Sequence, residues 1–220
     1  MRAVIIDEFG PFERAEFREV PDPSPKAAEI LVEIHATAAN FVDLLLIAGL
    51  HQSRPALPFI PGKGPAGIVR AVGSDVTGFS IGDRVVAMCD PGGGYAELIT
   101  VPATQCHPMP SSLPFVDAAS MALVYDTAWF ALCERGRYQT GETVLVLGAS
   151  GGVGLAAVQL AKALGAKVLA GVSNPEKFDL ANHAGADIII DLGRADLHNS
   201  LREQVCAVTD GRGADIIIDP

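Results

Sequence analysis

The feature that most constrains the fold is an apolar run that ends in a cluster of glycines and continues with helical spacing. The run is Val144-Leu145-Val146-Leu147, and Gly148-Ala149-Ser150-Gly151-Gly152-Val153-Gly154 follows it directly. Apolar residues then recur with the period of a helix at Val153, Ala156, Ala157, Leu160 and Leu164. A strand, a tight turn and a helix in this order predict the first unit of a parallel sheet.

The same turn predicts a binding site for the diphosphate of a dinucleotide. Such a site needs a tight turn, a position without a side chain beside the phosphates, and a small residue where helix meets strand. Against the pattern GxGxxG, Ala149, Gly151 and Gly154 occupy the glycine positions, so alanine replaces the first glycine. The free amides and the positive dipole end of the helix attract phosphate. The expected cofactor contacts are Ala149, Ser150, Gly151, Gly152, Val153 and Gly154. The alternative is a structural glycine-rich turn in an unrelated α/β protein.

The end of the next predicted strand distinguishes between the two nicotinamide cofactors. NAD sites place Asp or Glu there, about 20 residues past the turn, where the acid binds the ribose hydroxyls and repels a 2′-phosphate. Here the strand 167–172 leads into Ser173 and Asn174, which can donate hydrogen bonds, and Lys177 supplies a positive charge. The sequence therefore favours NADPH. The alternative is that Lys177 is a solvated helix residue whose charge Glu176 offsets.

The chain divides into two parts with different patterns, and we predict domains at residues 1–112 and 113–220. The first part has short extended runs separated by Gly, Pro and Asp, which is typical of a partly open β-barrel or sandwich. One helix interrupts it, with Asn40 as its N-cap and Gly49 at its end. The predicted strands are 4–6, 29–35, 66–72, 84–88 and 96–101.

The second part alternates strands and helices, which predicts a doubly wound parallel sheet covered on both faces. The predicted strands are 143–147, 167–172, 188–191 and 216–219, and the predicted helices are 153–164, 175–184 and 197–209. A sheet of strand order 3-2-1-4-5-6 would place a fifth strand beside the fourth. Because the sequence stops at Pro220, we expect the sheet to be C-terminally incomplete.

The net charge of the chain limits which partners it can bind, and its cysteines indicate the cellular compartment. The chain has 26 acidic and 16 basic side chains, a net charge of −10, and an apolar fraction of 49%, too high for a disordered chain. The negative charge repels phosphate backbones and anionic lipids, so we expect a small-molecule partner, no nucleic acid and no membrane. The early acids Asp7 and Glu8 predict no signal peptide. Four cysteines without a CxxC pair favour free thiols in the cytoplasm.

Six further segments and the glycine turn follow one another in a recognisable order. They are Asn40-Phe41-Val42-Asp43, Pro61-Gly62 with Ala66-Gly67, Val72-Gly73, Gly82-Asp83-Arg84-Val85, Gly93-Gly94-Tyr95-Ala96-Glu97, Thr127-Ala128, and the turn 148–154. In these segments the chain resembles the medium-chain dehydrogenase/reductase superfamily, specifically its zinc-free NADPH:quinone oxidoreductase branch, which includes ζ-crystallin-like proteins. The resemblance implies a GroES-like catalytic domain followed by a Rossmann domain. It also implies that substrate and nicotinamide meet in a cleft between the domains, and that the full-length protein is a homodimer.

The resemblance allows the presence of zinc to be judged from the residues at the zinc-ligand positions of related dehydrogenases. The alcohol dehydrogenase branch places a cysteine where this chain has Asn40, and Gly-His-Glu where it has Gly62-Lys63-Gly64. Zinc is bound by thiolate or imidazole, which neither an amide nor an ammonium group replaces. The segment that carries four cysteines in that branch has only Cys89, and the adjacent Cys106 and His107 cannot by themselves complete a tetrahedral site. We therefore expect no metal.

The resemblance also implies five further site residues, and the first four of them have an alternative role. Asn40 would hydrogen-bond the substrate carbonyl or the nicotinamide ribose, or only cap its helix. Thr127 would contact the nicotinamide, or be a structural hydroxyl at a helix start. Tyr125 would donate a proton, or be a buried aromatic residue with a satisfied hydroxyl. His51, where relatives often have tyrosine, would protonate the product, or be an exposed loop residue. Leu192 replaces a tyrosine that in many relatives packs on the adenosine phosphate.

A zinc-free site leaves the chemistry to the cofactor, with the protein orienting both reactants. A quinone or an activated alkene accepts hydride without a metal because its own conjugated carbonyl takes the charge. We therefore expect an NADPH-dependent, zinc-independent reductase of quinones or other α,β-unsaturated carbonyl compounds. Two alternatives remain: an enoyl-thioester reductase of the acryloyl-CoA type, and a low-turnover NADPH-binding sensor or structural protein.

Overall fold

The computed structural model describes all 220 residues, Met1–Pro220. They form two compact units, Met1–Leu123 and Val124–Pro220, each with its own buried core. This division falls inside a helix, because Ala118 and Ala119 at its start are buried in the first unit. The domain boundary expected after residue 112 therefore stays a prediction.

The first unit consists of short antiparallel strands. They are β1 (Arg2–Ile5), β2 (Glu16–Glu19), β3 (Glu29–Ala36), β4 (Ala66–Val72), β5 (Arg84–Ala87), β6 (Leu98–Pro102) and β7 (Cys106–Pro108). Five of them form one sheet in the order β6-β3-β4-β5-β7, and β1 pairs with β2. The five predicted strands are confirmed with shifts of one or two residues at their ends, whereas β2 and β7 were not predicted.

A glycine permits the closest approach within the five-stranded sheet. Residues Ile30 and Val32 of β3 and Val69 of β4 are buried in its core. A Cβ at Gly67 would lie 1.9 Å from the carbonyl oxygen of Glu33, which no side chain could tolerate. The pairing of β3 with β4 is irregular near this point, as expected for a bulge that bends the sheet.

The one helix of this sheet region, α1 (Phe41–Ile47), begins and ends where the sequence predicts. The N-cap is Asn40, whose backbone amide donates to the Asp43 carboxylate at 2.9 Å. Gly49 follows the helix with a φ of +69°, a left-handed conformation that favours glycine.

The second unit is a four-stranded parallel sheet with helices on both faces. The strands are β8 (Thr143–Val146), β9 (Lys167–Val172), β10 (Ile188–Asp191) and β11 (Ile216–Ile218). The helices are α3 (Gly152–Ala163), α4 (Phe178–His183) and α5 (Leu197–Val208). The order β10-β9-β8-β11 is the predicted order 3-2-1-4. Alternate residues of β8 and β9 point to opposite faces of the sheet. On one face they pack in a core with α3 and α4, and on the other face they pack in a core with α5.

A long helix, α2 (Phe115–Trp129), precedes the parallel sheet and continues in π-helical geometry over Phe130–Arg135. This helix is not among the elements predicted from the sequence. Residues 115–135 form the one helix that is long and apolar enough to cross a membrane. Core helices of soluble proteins meet the same criterion, so this is weak evidence for a membrane span.

Candidate functional site

The tight turn after β8 depends on a glycine that precedes the position assigned from the sequence. Gly148 has a φ of +55°, and its carbonyl oxygen accepts a hydrogen bond from the Gly151 amide at 2.9 Å. Ala149 is fully buried, and its amide donates to the carbonyl oxygen of Gly171 at 3.0 Å. The left-handed conformation of the turn therefore lies at Gly148, one residue before the first glycine position of the pattern. Alanine is compatible with that position because Gly148 supplies the left-handed conformation.

The other two glycines of the pattern have different surroundings. A Cβ at Gly154 would lie 2.2 Å from the carbonyl oxygen of Gly148 and 2.8 Å from the Cα of Ala149. Glycine at 154 therefore allows α3 to pack against the turn. A Cβ at Gly151 would meet only the oxygen of Gly148, at 3.4 Å, so the space in front of Gly151 is open. This is the arrangement that close approach of a diphosphate requires.

The first turn of α3 presents amide groups toward that open space. The first i to i−4 bond of the helix runs from the Leu155 amide to the Gly151 oxygen at 2.8 Å. The amides of Gly152, Val153 and Gly154 precede this bond, and no side chain caps the helix. Three donors at the positive end of a 12-residue helix form a cradle that fits an anionic diphosphate.

The residues predicted to choose the cofactor follow β9, as expected, but with a different local structure. Ser173, Asn174 and Lys177 are all exposed. The Asn174 side-chain oxygen accepts a hydrogen bond from the Glu176 amide at 3.0 Å, which leaves its NH₂ group free to donate. Lys177 lies in a 3₁₀ turn, Pro175–Lys177, that precedes α4, rather than in the first turn of a helix. Lys177 forms no ion pair, either with Glu176 or with another acid.

Leu192 lies against the end of β9. Its amide donates to the Val172 carbonyl oxygen at 3.0 Å, and its Cδ1 is 3.0 Å from the position that a Cβ would take at Gly171. Because Ala149 also bonds to Gly171, the structure brings Leu192 and the glycine turn to the same end of the sheet. Leu192 packs against the core beneath α5 and offers only apolar surface.

Tyr125 and Thr127 lie in the second half of α2. The Tyr125 hydroxyl donates to the side-chain oxygen of Gln159 in α3, and its ring is half-buried. This geometry is the one expected for an aromatic residue with a satisfied hydroxyl. Thr127 is exposed and lies near the end of α2, so the alternative of a hydroxyl at a helix start is wrong.

A buried carboxylate, Asp43, organises the surroundings of Asn40. Asp43 is 2% exposed and accepts three hydrogen bonds, from the Asn40 amide at 2.9 Å, the Gly62 amide at 3.2 Å and the Tyr95 hydroxyl at 2.9 Å. The Asn40 side chain is half-buried, and its NH₂ group lies 3.4 Å from the carbonyl oxygen of Ala38. This role of Asp43 is not among the expectations from the sequence. The signal was present, since an acid three residues after an N-cap is the spacing of a capping box.

The contact with Asp43 also changes the acidity of Tyr95. Burial, together with the negative charge of Asp43 and the hydrogen bond to it, raises the pKa of the Tyr95 hydroxyl. The hydroxyl therefore stays protonated and keeps donating to Asp43 near neutral pH.

An open cavity of about 510 Å³ lies beside Asn40 in the first unit. Most of its lining is apolar, and Asn40, Asp43 and Tyr95 contribute the polar groups. The apolar residues are Val4, Phe12, Ala15, Ala39, Phe41, Leu44 and Ile47. No lysine or arginine lines this cavity, so its chemistry suits a small uncharged ligand.

His51 lies at the other end of α1 from Asn40. Its backbone amide donates to the Leu45 oxygen at 3.2 Å, and its Nδ1 accepts from the Ser53 amide at 3.1 Å. The same Nδ1 atom lies 3.1 Å from the Ser53 carbonyl oxygen, to which it donates when it carries the ring proton. The side chain is partly exposed, and the structure does not bring it next to Asn40.

The positions that bind zinc in the alcohol dehydrogenase branch have other partners here. The ammonium group of Lys63 forms a salt bridge with the Asp90 carboxylate, at 2.8 Å. All four cysteines are free. Burial raises the pKa of the Cys106 thiol to about 12, and the electrostatic effect of Cys89 contributes a smaller part of this rise. No group of three or more His, Cys, Asp and Glu side chains is arranged to hold a metal ion.

Two family models match the chain, one in each unit. Residues 26–111 match the alcohol dehydrogenase GroES-like domain, and residues 152–220 match the family described as zinc-binding dehydrogenase. The parallel sheet with the glycine turn is thus the Rossmann-like part of this fold, as predicted.

Named proteins and solved structures agree with these models. The chain is 42% identical over 193 residues to "Quinone oxidoreductase-like protein 2 homolog" of Nematostella vectensis, covering 87% of this chain and 52% of that protein. It is 36% identical over 220 residues to quinone oxidoreductase of Rattus norvegicus, covering 100% of this chain and 66% of that protein. The chain thus spans between half and two thirds of the length of these relatives.

The structure of Escherichia coli quinone oxidoreductase complexed with NADPH superimposes with a TM-score of 0.87 at 33% identity, covering 96% of this chain and 64% of that one. Family models, relatives and solved structures therefore lead to one conclusion. The chain belongs to the medium-chain dehydrogenase/reductase superfamily, in its quinone oxidoreductase branch.

Proposed function

We propose that the protein is an NADPH-dependent, zinc-independent reductase that transfers hydride to quinones or other α,β-unsaturated carbonyl compounds. The observation that carries the proposal is the cradle of free amides at the start of α3. Its support comes from two relatives named as quinone oxidoreductases or quinone oxidoreductase-like, and from the Escherichia coli relative whose structure contains NADPH.

In this proposal the backbone of the glycine turn holds the diphosphate of the cofactor. The amides of Gly152, Val153 and Gly154 donate to phosphate oxygens, and Gly151 leaves room for them because it has no side chain. Ala149 and Ser150 shape the turn, and Leu192 packs beside the adenosine. Backbone donors and a helix dipole bind phosphate whatever the pH near neutrality, because neither group titrates there.

The residues after β9 account for the choice of NADPH over NADH. Ser173 and Asn174 occupy the place where an NAD site carries an acid, so no negative charge repels a 2′-phosphate there. Lys177 is exposed and unpaired with any acid, which leaves its charge available to that phosphate.

When bound, the cofactor supplies a hydride to the acceptor, and the product also takes up one proton. In the proposal Asn40 orients the acceptor carbonyl, since its side chain lines an apolar cavity of suitable size. His51 stays the proposed proton donor, because imidazolium is a suitable general acid, although it lies beyond the opposite end of α1 from Asn40. Tyr125 is the second candidate donor, although its hydroxyl hydrogen is directed to Gln159. Thr127 is proposed to contact the nicotinamide.

The proposal includes no metal, because the residues at the zinc-ligand positions do not suit it. An amide at position 40 and an ammonium at position 63 are poor zinc ligands, and Lys63 is already paired with Asp90. We further propose that the protein works in the cytoplasm as a homodimer when full length, on a small-molecule acceptor, without nucleic-acid or membrane partners.

Oxidation of NADPH by the purified protein tests the proposed reaction. We expect turnover with 1,4-benzoquinone or phenanthrenequinone. We expect little turnover with crotonyl-CoA, because the cavity beside Asn40 has no cation for the CoA phosphates. Preference for crotonyl-CoA would favour an enoyl-thioester reductase. Tight NADPH binding without turnover of any acceptor would favour a sensor or structural protein.

A further inference from the structure

The loops after β9 and β10 lie side by side. Asp191 pairs with Val172 at the ends of the two strands, and the Leu192 amide continues the pairing with a hydrogen bond to the Val172 oxygen. A Cβ at Gly193 would lie 2.8 Å from the carbonyl oxygen of Ser173. The residue after Gly193 therefore begins next to the loop that contains Ser173 and Asn174.

That residue is Arg194, and most of its hydrogen-bonding capacity is unused. Its side chain is 59% exposed, and its Nε lies 3.5 Å from the Asp191 Oδ2. The contact with Asp191 is the one ion pair of this guanidinium group, which donates no hydrogen bond within the protein. A guanidinium group held loosely at Nε presents two parallel donors, the geometry that binds a phosphate in bidentate fashion.

The acid beside Arg194 is occupied by its own loop. The Asp191 Oδ1 accepts the Gly193 amide at 2.9 Å, and the backbone of Asp191 exchanges two hydrogen bonds with the Gln204 side chain. The Asp191 carboxylate is thus directed toward its own turn and toward Arg194. Its negative charge is offset locally, so it does not act as the free acid of an NAD site.

The same end of the sheet carries a second exposed cation, Lys177, which forms no ion pair. Lys177 follows Ser173 and Asn174 on the β9 side, and Arg194 follows Gly193 on the β10 side. The Leu192 side chain has no polar group, so it cannot donate a hydrogen bond to a phosphate. We propose that Arg194, together with Lys177, binds the 2′-phosphate of NADPH and is a specificity-determining residue for NADPH over NADH. This inference rests on the proposed function, because it requires the adenosine end of the cofactor to lie at the end of β9.

Calorimetric titration of the full chain with 2′,5′-ADP and 5′-AMP tests this without any hydride transfer. The two ligands differ only by the 2′-phosphate. We expect Arg194→Gln to weaken binding of 2′,5′-ADP about tenfold, as expected for one lost charge-assisted contact, and to change 5′-AMP binding less than about twofold. Arg194→Lys should restore part of the loss, because it keeps the charge but not the bidentate geometry.

Arg212→Gln is the matched control for charge. Arg212 is also an exposed arginine with an acid three residues away, but it precedes β11 at the opposite edge of the sheet. We expect this variant to bind both ligands as the wild type does. The double variant Lys177→Gln, Arg194→Gln should bind 2′,5′-ADP no better than 5′-AMP.

The outcomes separate this inference from the proposed function. A wild type that prefers 2′,5′-ADP, with the same preference in Arg194→Gln, would contradict the role of Arg194 and leave the NADPH site standing. An equal loss for both ligands would also contradict it, because the effect would not depend on the 2′-phosphate. A wild type that binds neither ligand would overturn the proposed cofactor site and this inference with it.

Discussion

At the residue scale, Gly151 has room for a small side chain, but we expect a negatively charged side chain there to prevent binding of the diphosphate. A Cβ fits there, because its nearest neighbour would be the Gly148 oxygen at 3.4 Å. Gly151→Asp should therefore fold, yet bind NADPH at least about 100-fold more weakly, since its carboxylate would face the diphosphate. Calorimetry measures the affinity, and Gly151→Ala controls for the added atom. Unchanged affinity in the aspartate variant would refute the turn as the phosphate site.

Asp43 is the residue for which the structure adds most to the sequence. We expect Asp43→Leu to lower the free energy of unfolding by about 3 kcal/mol or more, because the buried Asn40 and Gly62 amides would lose their acceptor. Tyr95→Phe removes only one donor and should cost about 1 kcal/mol. Urea unfolding at neutral pH measures both. Equal stability of the two variants would contradict the central role of Asp43.

The raised pKa of Tyr95 predicts a pH dependence of stability. An unfolded tyrosine loses its proton near pH 10, whereas the folded protein keeps it on Tyr95 to higher pH. Above about pH 10 the unfolded state thus binds fewer protons, so stability falls as the pH rises. We expect a shallower fall in Tyr95→Phe. Unfolding free energies between about pH 8 and pH 11 measure the difference, and identical slopes would exclude this contribution.

At the element scale, the packing of α3 on the turn depends on Gly154. The Cβ of Gly154→Ala would collide with the backbone oxygen of Gly148, so α3 must move away from the turn. We expect a loss of about 1–3 kcal/mol in stability and weaker NADPH binding, because the three donor amides move with the helix. Gly152→Ala is the control in the same turn, since its Cβ would meet only the end of the Val124 side chain, at 3.3 Å. Equal melting temperatures and affinities for the two variants would contradict this.

The sequence predicted elements well where their packing leaves a periodic pattern. β8 is buried along its whole length, and α1 has an N-cap and a terminal glycine, so both were predicted. β2 is exposed at every residue and shows no alternation, which is why its pattern did not indicate a strand. α2 distributes apolar residues around the helix, so no single apolar face marks it.

The sequence locates the contiguous turn at a helix start, but it does not predict contacts between residues that are distant in sequence. The residues 149–154 do lie at one helix start, and Ser173 and Leu192 do lie at the same end of the sheet. The hydrogen bonds from Gly62 and Tyr95 to Asp43 join segments about 20 and 50 residues apart. A single sequence carries no local signal for such contacts. The tight-turn role of Gly148 was missed because the pattern was aligned by spacing and not by backbone conformation.

At the scale of the whole molecule, independence from zinc can be tested on activity. We expect NADPH oxidation to survive prolonged treatment with 1,10-phenanthroline, since no group of acids, cysteines and histidines is arranged to bind a metal. The same treatment of a zinc-dependent alcohol dehydrogenase provides the positive control. Loss of activity that returns on adding zinc would contradict the zinc-independent mechanism.

A crystal structure of the protein with NADPH would test the proposed cofactor site directly. We expect diphosphate oxygens within hydrogen-bonding distance of the Gly152 and Val153 amides, with the 2′-phosphate at the end of β9 near Lys177. A nucleotide bound elsewhere, with the start of α3 empty, would contradict it.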